Sequence, residues 1–541
     1  MNIKNSTPPS SHADYDEESA RDKSPSSLSK DAEVHTEPTT VTDDTGEPYI
    51  VPAAVDTRPD YSALSESQRS FLLIVASLAA TISPASTTTY YPAITALARD
   101  LNVSVALMNL TISTYQIFQG LAPSVTAAFS DRYGRRPAYI LCLAINFGAN
   151  LGLALQNDYS NLMVLRCLQS SGSSGTIALG QAVLDDLTTS DQRGKFLAYL
   201  SIGTIMGPAL GPVIGGLLSQ YLGWRAIFWF LTILGGVLMI VITIFFGETN
   251  RAIVGDGSNP PQKWNYSIFQ LFRKNDLVPN SHSLEKRVHG VNPLKSLRIL
   301  AGKENFIVCV YIGLLFAGSS AMTACLASQL PERYNYNEVQ VGLCYLPIGI
   351  GSLVSRWTVG KLIDKKLQRE AVKQGVTIVK NRKQDLSNQD VEKSRLIIAF
   401  PMILATCTFV LAFGWLLEYK IHISAVLISC FLLANVLTSA LVAITALLSD
   451  INMGNGASLG AAMNLVRCLI GAGAVAAVTP LIDLIGIGFA ATIIAAIWIA
   501  ALPALWLVYR KGYQWRKTKA ALSDQESEAT EASAAPPVNE K

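Results

Sequence analysis

The sequence predicts an all-α membrane protein with twelve transmembrane helices in two six-helix halves, and three observations predict it. Half of the 541 residues are hydrophobic and only 15% are charged, against about 25% charged in soluble domains. Apolar runs of about 20 residues, the length that crosses a bilayer core, recur along the chain. A polar stretch from Gly247 to about Lys303 separates six such runs from six more. The expected organisation is a cytosolic tail (1–68), a first helical half (69–246), a central cytosolic loop (247–304), a second half (305–509) and a second cytosolic tail (510–541).

The N-terminal tail is rich in Ser, Thr, Pro, Asp and Glu and poor in aromatics; such a composition cannot bury enough apolar surface to fold, so disorder is expected. No apolar signal stretch follows a basic start, which leaves the first span to direct insertion. That span runs from Phe71 to about Ala93 and holds a run of hydroxyl residues before Tyr90 and Tyr91. The hydroxyls are expected to bond backbone or a neighbouring helix. Spans follow near 107–128, 137–156, 162–183, 196–219 and 226–246, then near 305–327, 341–362, 396–417, 423–448, 457–480 and 487–509.

Basic residues set the orientation. Arg132, Arg135, Arg136, Arg193 and Lys195 lie in the turns after spans two and four, and the opposite loops hold only Arg99, Arg225, Arg333 and Lys420. The positive-inside rule therefore puts both termini in the cytosol and the sequon Asn102-Val-Ser104 outside. The loop from Asp364 to Arg395 reads as a solvated linker, and the cluster Arg510, Lys511, Arg516, Lys517 and Lys519 as a contact with anionic lipid.

A net charge of +3 is too weak to imply a nucleic-acid partner. The eight Cys fall within apolar runs without paired or metal-type spacing, so they read as small buried hydrophobes and no metal or cofactor is expected. The chain lacks GxxxxGK[ST] and HExxH, which argues against an enzyme. A receptor or scaffold that binds a ligand without moving it remains the rival class.

Four features carry candidate function. Span five holds Gly203, Gly207, Pro208, Gly211, Pro212, Gly215 and Gly216; in water this would oppose a helix, but in lipid small residues let helices approach closely. The turn after span two reads Asp131-Arg132-Tyr133-Gly134-Arg135-Arg136, either a tight basic turn or a set of switchable ion pairs. After span eight, Gly360-Lys-Leu-Ile-Asp364 echoes it. Arg166, Arg356 and Arg467 lie within apolar spans; Arg356 is near an end and can snorkel, whereas Arg166, with Gln169, and Arg467, with Asn464, lie deeper and are candidates for substrate contact or coupling. All five His fall in tails or loops and no Asp or Glu lies at the middle of a span. Only Asp131, Asp185 and Asp186 are near enough to carry protons, and an arginine-bearing interior without acids favours an anionic cargo.

The strings RCLQSSGSSGTIALGQ (from Arg166), GPALGPVIGG (from Gly207) and NLVRCLIGA (from Asn464) resemble the major facilitator transporters, in particular the fungal twelve-span drug:proton antiporters and their quinidine-resistance branch. The turn at Asp131 is similar to that family's GxLxDRxGRR, with Ala127 in place of Gly, and Ser170 stands where the branch has Gly. The resemblance covers roughly 70–510. It implies two parallel-repeat halves, a first span beside the pathway, conformational coupling at Asp131 and its arginines, and an exporter motif in span five. It also implies proton-coupled export of small organic molecules across the plasma membrane by a monomer; an exporter of citrate-like organic acids is the alternative. Under six-plus-six symmetry spans four and eleven are not equivalent, so the likeness between MVLRCLQ and NLVRCLI is coincidence.

Overall fold

A computed structural model of the chain describes residues 40–42, 48–50, 64–188, 193–255, 257, 259–262, 265–267, 299–356, 390–452 and 456–534. The chain separates into two units, Met1–Asp60 and Tyr61–Lys541. In the first, β1 (Thr40–Thr42) pairs antiparallel with β2 (Pro48–Ile50), Thr40 opposite Ile50. The remainder of the tail expected to be disordered, up to residue 63, lies outside the described residues, as do Asp364 and the linker around it.

In the second unit every regular element among the described residues is a helix. Its first helix, α1 (Glu66–Thr88), begins ahead of the apolar run because Ser65 and Gln68 cap it reciprocally, Gln68 N–H to Ser65 Oγ at 3.3 Å and Ser65 N–H to Gln68 Oε1 at 3.0 Å. This capping box satisfies donors that a helix start otherwise strands. After Thr88 the chain passes through a 3-10 turn at Tyr91–Ala93 and resumes as α2 (Ile94–Asp100). Pro92, with no N–H, enforces the break, so the first span is two helical pieces rather than one.

Then follow α3 (Val105–Tyr133), α4 (Arg135–Leu155), α5 (Tyr159–Leu187), α6 (Arg193–Leu222), α7 (Arg225–Phe245) and the short α8 (Arg251–Val254). The second half comprises α9 (Lys303–Tyr334), α10 (Glu338–Cys344, continuing past a turn at Tyr345 to Arg356), α11 (Val391–Glu418), α12 (Ile423–Ile451), α13 (Gly456–Ile485) and α14 (Ile487–Ala534). Among the described residues ten helices are long and apolar enough to cross a membrane. The two other long ones, α3 and α5, are 29 residues each and are diluted by polar side chains: Asn109, Gln116 and Gln119 in one, Arg166, Gln169 and a run of serines in the other. They are the helices that build the site described below.

The glycines of α6 do what lipid-phase packing requires of small residues. A Cβ on Gly203 or Gly215 would collide with the Ser77 or Thr89 carbonyl of the first span, and one on Gly207 would meet Pro84. The close approach is hydrogen-bonded: Gly203 N–H donates to Ser77 Oγ (3.0 Å), Ser77 Oγ to the Leu200 carbonyl (3.2 Å), and Thr88 Oγ1 to the Gly207 carbonyl (3.0 Å). On the same helix Gly216 and Pro212 lie against Glu338 and Gly342 of α10, so α6 joins its own half to the other. A second seam joins α3 to α13, where Asn109 Nδ2 donates to Thr479 Oγ1 at 2.6 Å. All eight cysteines are unpaired and all but Cys167 are buried.

Gly207→Leu is expected to lower the stability of the purified chain by about 1–3 kcal/mol, the usual cost of overpacking. Gly148→Leu, at a position with nothing within 4 Å, should change it little. Thermal unfolding of the two variants in the same detergent is the check.

Candidate functional site

Arg166 stands at the centre of the first half, fully enclosed. It projects from α5 between two tyrosines of neighbouring helices, its guanidinium carbon 4.1 Å from the Tyr90 ring centroid and 4.4 Å from that of Tyr115. Nη1 donates to Gln169 Oε1 at 2.6 Å and to the Ser86 carbonyl at 3.2 Å. Gln169 is held in turn, donating to Asn150 Oδ1 at 2.7 Å, and Asn150 donates to the Asn146 carbonyl at 2.8 Å. The tyrosines are fixed as well: Tyr90 Oη lies 2.9 Å from Thr111 Oγ1, and Tyr115 Oη 2.8 Å from Ser173 Oγ. Rings and guanidinium are therefore each held by hydrogen bonds to neighbouring helices.

No carboxylate pairs with Arg166 among the described residues. An arginine at the centre of a membrane helix costs roughly 2.5–3.5 kcal/mol or more, and each cation–π contact returns roughly 0.5–2 kcal/mol. The rings thus offset much of the charge, but Nε and Nη2 are buried without any hydrogen-bond partner. Those two nitrogens form one edge of the guanidinium, the edge that meets a carboxylate or phosphate with two parallel bonds. The site holds an unfilled anion fork.

Arg467 makes the matching contact in α13: Nη2 donates to Asn464 Oδ1 at 2.7 Å, and the guanidinium sits 4.7 Å over Phe316. Asn464 Nδ2 donates to the Gln119 carbonyl at 2.9 Å, which ties this arginine to α3 across the seam between the halves. Each arginine is thus brought together with the amide predicted beside it. Arg166 sits inside the first half and Arg467, half-buried, at the seam. Arg356 ends the described part of α10 and is exposed, as a snorkelling residue would be.

The basic turn forms an ion cluster. Arg135 donates to Asp131 Oδ1 (2.6 Å) and to Asp186 Oδ2 (2.8 Å), which ties the ends of α3, α4 and α5 together. Arg136 donates to the Thr243 carbonyl at 2.8 Å, and Arg132 lies over the ring of Tyr133 at 5.3 Å. Asp131 and Asp186, expected as proton carriers, both face Arg135. The expected echo at Asp364 lies outside the described residues, yet the repeat appears elsewhere: Arg395, opening α11, donates to Asp450, closing α12, at 3.0 Å. Those are the positions of Arg135 and Asp186 in the other half.

Sequence reasoning missed Glu248, which organises this turn. Its carboxylate accepts from the backbone N–H groups of Arg135 (2.8 Å), Arg136 (3.2 Å), Thr249 (3.1 Å) and Asn250 (2.9 Å), and from Asn265 Nδ2 (2.7 Å). It caps α4 from beyond α7, and Gly134, at φ 111°, gives the room a Cβ would take from it. An acid immediately after an apolar span was the available signal. Tyr90 and Tyr115 were also missed, because nothing local marks a tyrosine as the flank of a distant arginine.

Glu248→Ala strands four backbone donors and should lower stability by about 2 kcal/mol or more. Asp131→Asn leaves Arg135 with its more enclosed partner Asp186 and should cost less than about 1 kcal/mol. Unfolding midpoints of the two purified variants, compared with the unmutated chain, check the order.

Comparison with known proteins places this geometry. The profile of the Major Facilitator Superfamily matches residues 76–475. The chain is 65% identical over 473 residues to the "MFS-type transporter R5" of Phoma sp. (strain ATCC 20986 / MF5453), covering 87% of this chain and 90% of that protein. It is 31% identical to "Citrate exporter 1" of Aspergillus niger, covering 87% and 91%. In fold it is similar to the crystal structure of the human organic anion transporter MFSD10, with a TM-score of 0.50 at 15% identity over 83% of this chain and 100% of that one. With that profile spanning most of the chain and relatives similar over nearly their whole length, the chain belongs to the Major Facilitator Superfamily and is a membrane transporter rather than an enzyme.

Proposed function

We propose that this transporter exports small organic molecules by alternating access of its two halves, and that organic anions are its principal cargo. The observation that carries the choice of cargo is the buried fork of Arg166, whose Nε and Nη2 have no hydrogen-bond partner and which pairs with no carboxylate among the described residues. A cargo carboxylate would supply two charge-assisted bonds in a setting where nothing else does. Likeness to a citrate exporter supports the same class. Arg467, tied to the seam through Asn464 and Gln119, is in place to report occupancy to the interface. The clusters at Arg135 and Arg395 are in place to hold each half together while the halves rock.

The rest of the reading follows the family. All twelve long helices span the bilayer, α3 and α5 shielded by their neighbours; the address is the plasma membrane, the unit a monomer, and the driving ion the proton. The rival reading is export of neutral or cationic drugs, in which Arg166 only organises helices.

Flux in proteoliposomes under an imposed pH gradient separates the two. Labelled citrate should move and a cationic dye should not. Arg166→Gln should cut citrate flux about ten- to a hundredfold, matching a charged hydrogen bond of roughly 1.5–3 kcal/mol. Arg166→Lys keeps the charge but loses the fork, and should fall between. Dye flux with no citrate flux in the unmutated chain would return the reading to drug efflux.

A further inference from the structure

Both Tyr91 and Tyr345 sit where a helix is interrupted, Tyr91 opening the 3-10 turn between α1 and α2 and Tyr345 in the turn within α10. Each stands beside a proline, Pro92 directly and Pro347 two residues on. The two rings stack across the seam between the halves, with centroids 6.0 Å apart and planes 17° from parallel, and both side chains are almost wholly buried. Irregular backbone at membrane depth is tolerated only where protein covers it or a cavity is lined by it, and here each half covers the break in the other through the aromatic pair.

The surroundings show where the pair stands. Beyond the pair, on the outer side by the positive-inside assignment, a groove of about 700 Å³ lies between the halves, lined by Thr95, Arg99, Asn102, Ser104, Ser328 and Glu332. Thr95 is one turn beyond Tyr91 on α2. Ser328 is little more than one turn beyond Thr323, whose carbonyl accepts from Tyr345 Oη at 2.7 Å. On the other side of the pair, the residue next to Tyr91 is Tyr90, the ring packed on Arg166. One peptide bond joins the anion fork to the aromatic pair.

We propose that Tyr91 and Tyr345 form the outer gate of the transport pathway, and that Tyr90 couples its opening to occupancy of Arg166. The coupling rests on the anion reading above; the gate does not. When an anion fills the fork, the guanidinium shifts towards it and its contact with the Tyr90 ring changes. Tyr90 cannot move without moving the 3-10 turn that carries Tyr91. Because the pair is a contact between halves, its loss opens the groove inward.

The native thiols of Cys344 and Cys325, both buried in the second half, serve as reporters. The full-length chain in proteoliposomes of defined orientation is treated from outside with a membrane-impermeant maleimide, and labelling at each cysteine is followed by peptide mass spectrometry. Tyr91→Ala removes the ring that stacks on Tyr345 from the opposite half. It should label Cys344 or Cys325 about tenfold faster, as expected when a minor open state becomes a major one. Tyr91→Phe keeps the stack and should behave as the unmutated chain. Unchanged labelling in Tyr91→Ala would overturn the gate. Citrate is the probe for coupling: it should change the labelling rate of the unmutated chain and have no effect in Arg166→Gln or Tyr90→Leu. If citrate changes nothing while Tyr91→Ala still exposes the thiols, the gate stands and the coupling is rejected; citrate flux measured in the same proteoliposomes then decides the anion reading separately. An equal citrate effect in Tyr90→Leu would reject Tyr90 as the link.

Discussion

A guanidinium in the middle of α5, with no carboxylate paired to it among the described residues, is the constraint on which the first half depends. Arg166 cannot shed its charge and cannot reach water from where it lies, so the surrounding helices must solvate it. They do so with two tyrosine faces, a backbone carbonyl from α1 and the Gln169–Asn150–Asn146 chain from α4 and α5. The Arg166–Gln169 pair in α5 reflects this need, whereas Asn109 in α3 serves the seam with α13. The solvation stops one step short of completion, at Nε and Nη2, and that shortfall is what the anion reading uses.

Helix proximity is the second requirement, because aromatic and carbonyl contacts to a buried arginine work only if α1, α3 and α5 lie close together. The small residues of α6 draw it onto the first span along the Gly203–Gly215 face, holding the segment that carries Ser86 and Tyr90. Another face of α6, at Pro212 and Gly216, lies on α10, and α3 lies on α13, so α3, which carries Tyr115 against the arginine, also forms part of the seam between halves. A change at the arginine therefore reaches the seam through rigid elements rather than through loops.

Much of this was legible in the sequence, and for identifiable reasons. Apolar run length pointed to the long helices, since a bilayer imposes that length directly, but not to where they end: the last runs on to Ala534 rather than stopping near 509. Arg166 stood out because charge in an apolar run is costly, and the α6 glycines because only close packing explains them in a helix. The turn at Asp131 was readable as a cluster of charges, though its organiser, Glu248, was not, because it joins the turn from beyond α7. The break at Tyr90-Tyr91-Pro92 was written in the sequence, as residues before proline leave the helical region; it was hidden by the apolar run around it. What lies across from what, Tyr115 against Arg166 or Tyr345 against Tyr91, is tertiary, and no local pattern encodes it.

The claim at the centre is that the free edge of Arg166 receives a carboxylate. The most direct measurement is a cryo-electron microscopy map of the full chain prepared with citrate, at a resolution that shows side chains. The account predicts a citrate carboxylate at roughly 3 Å from both Nε and Nη2, with the guanidinium still flanked by Tyr90 and Tyr115. Citrate bound elsewhere in the transporter, with that edge of Arg166 occupied by water or by another side chain, would contradict it.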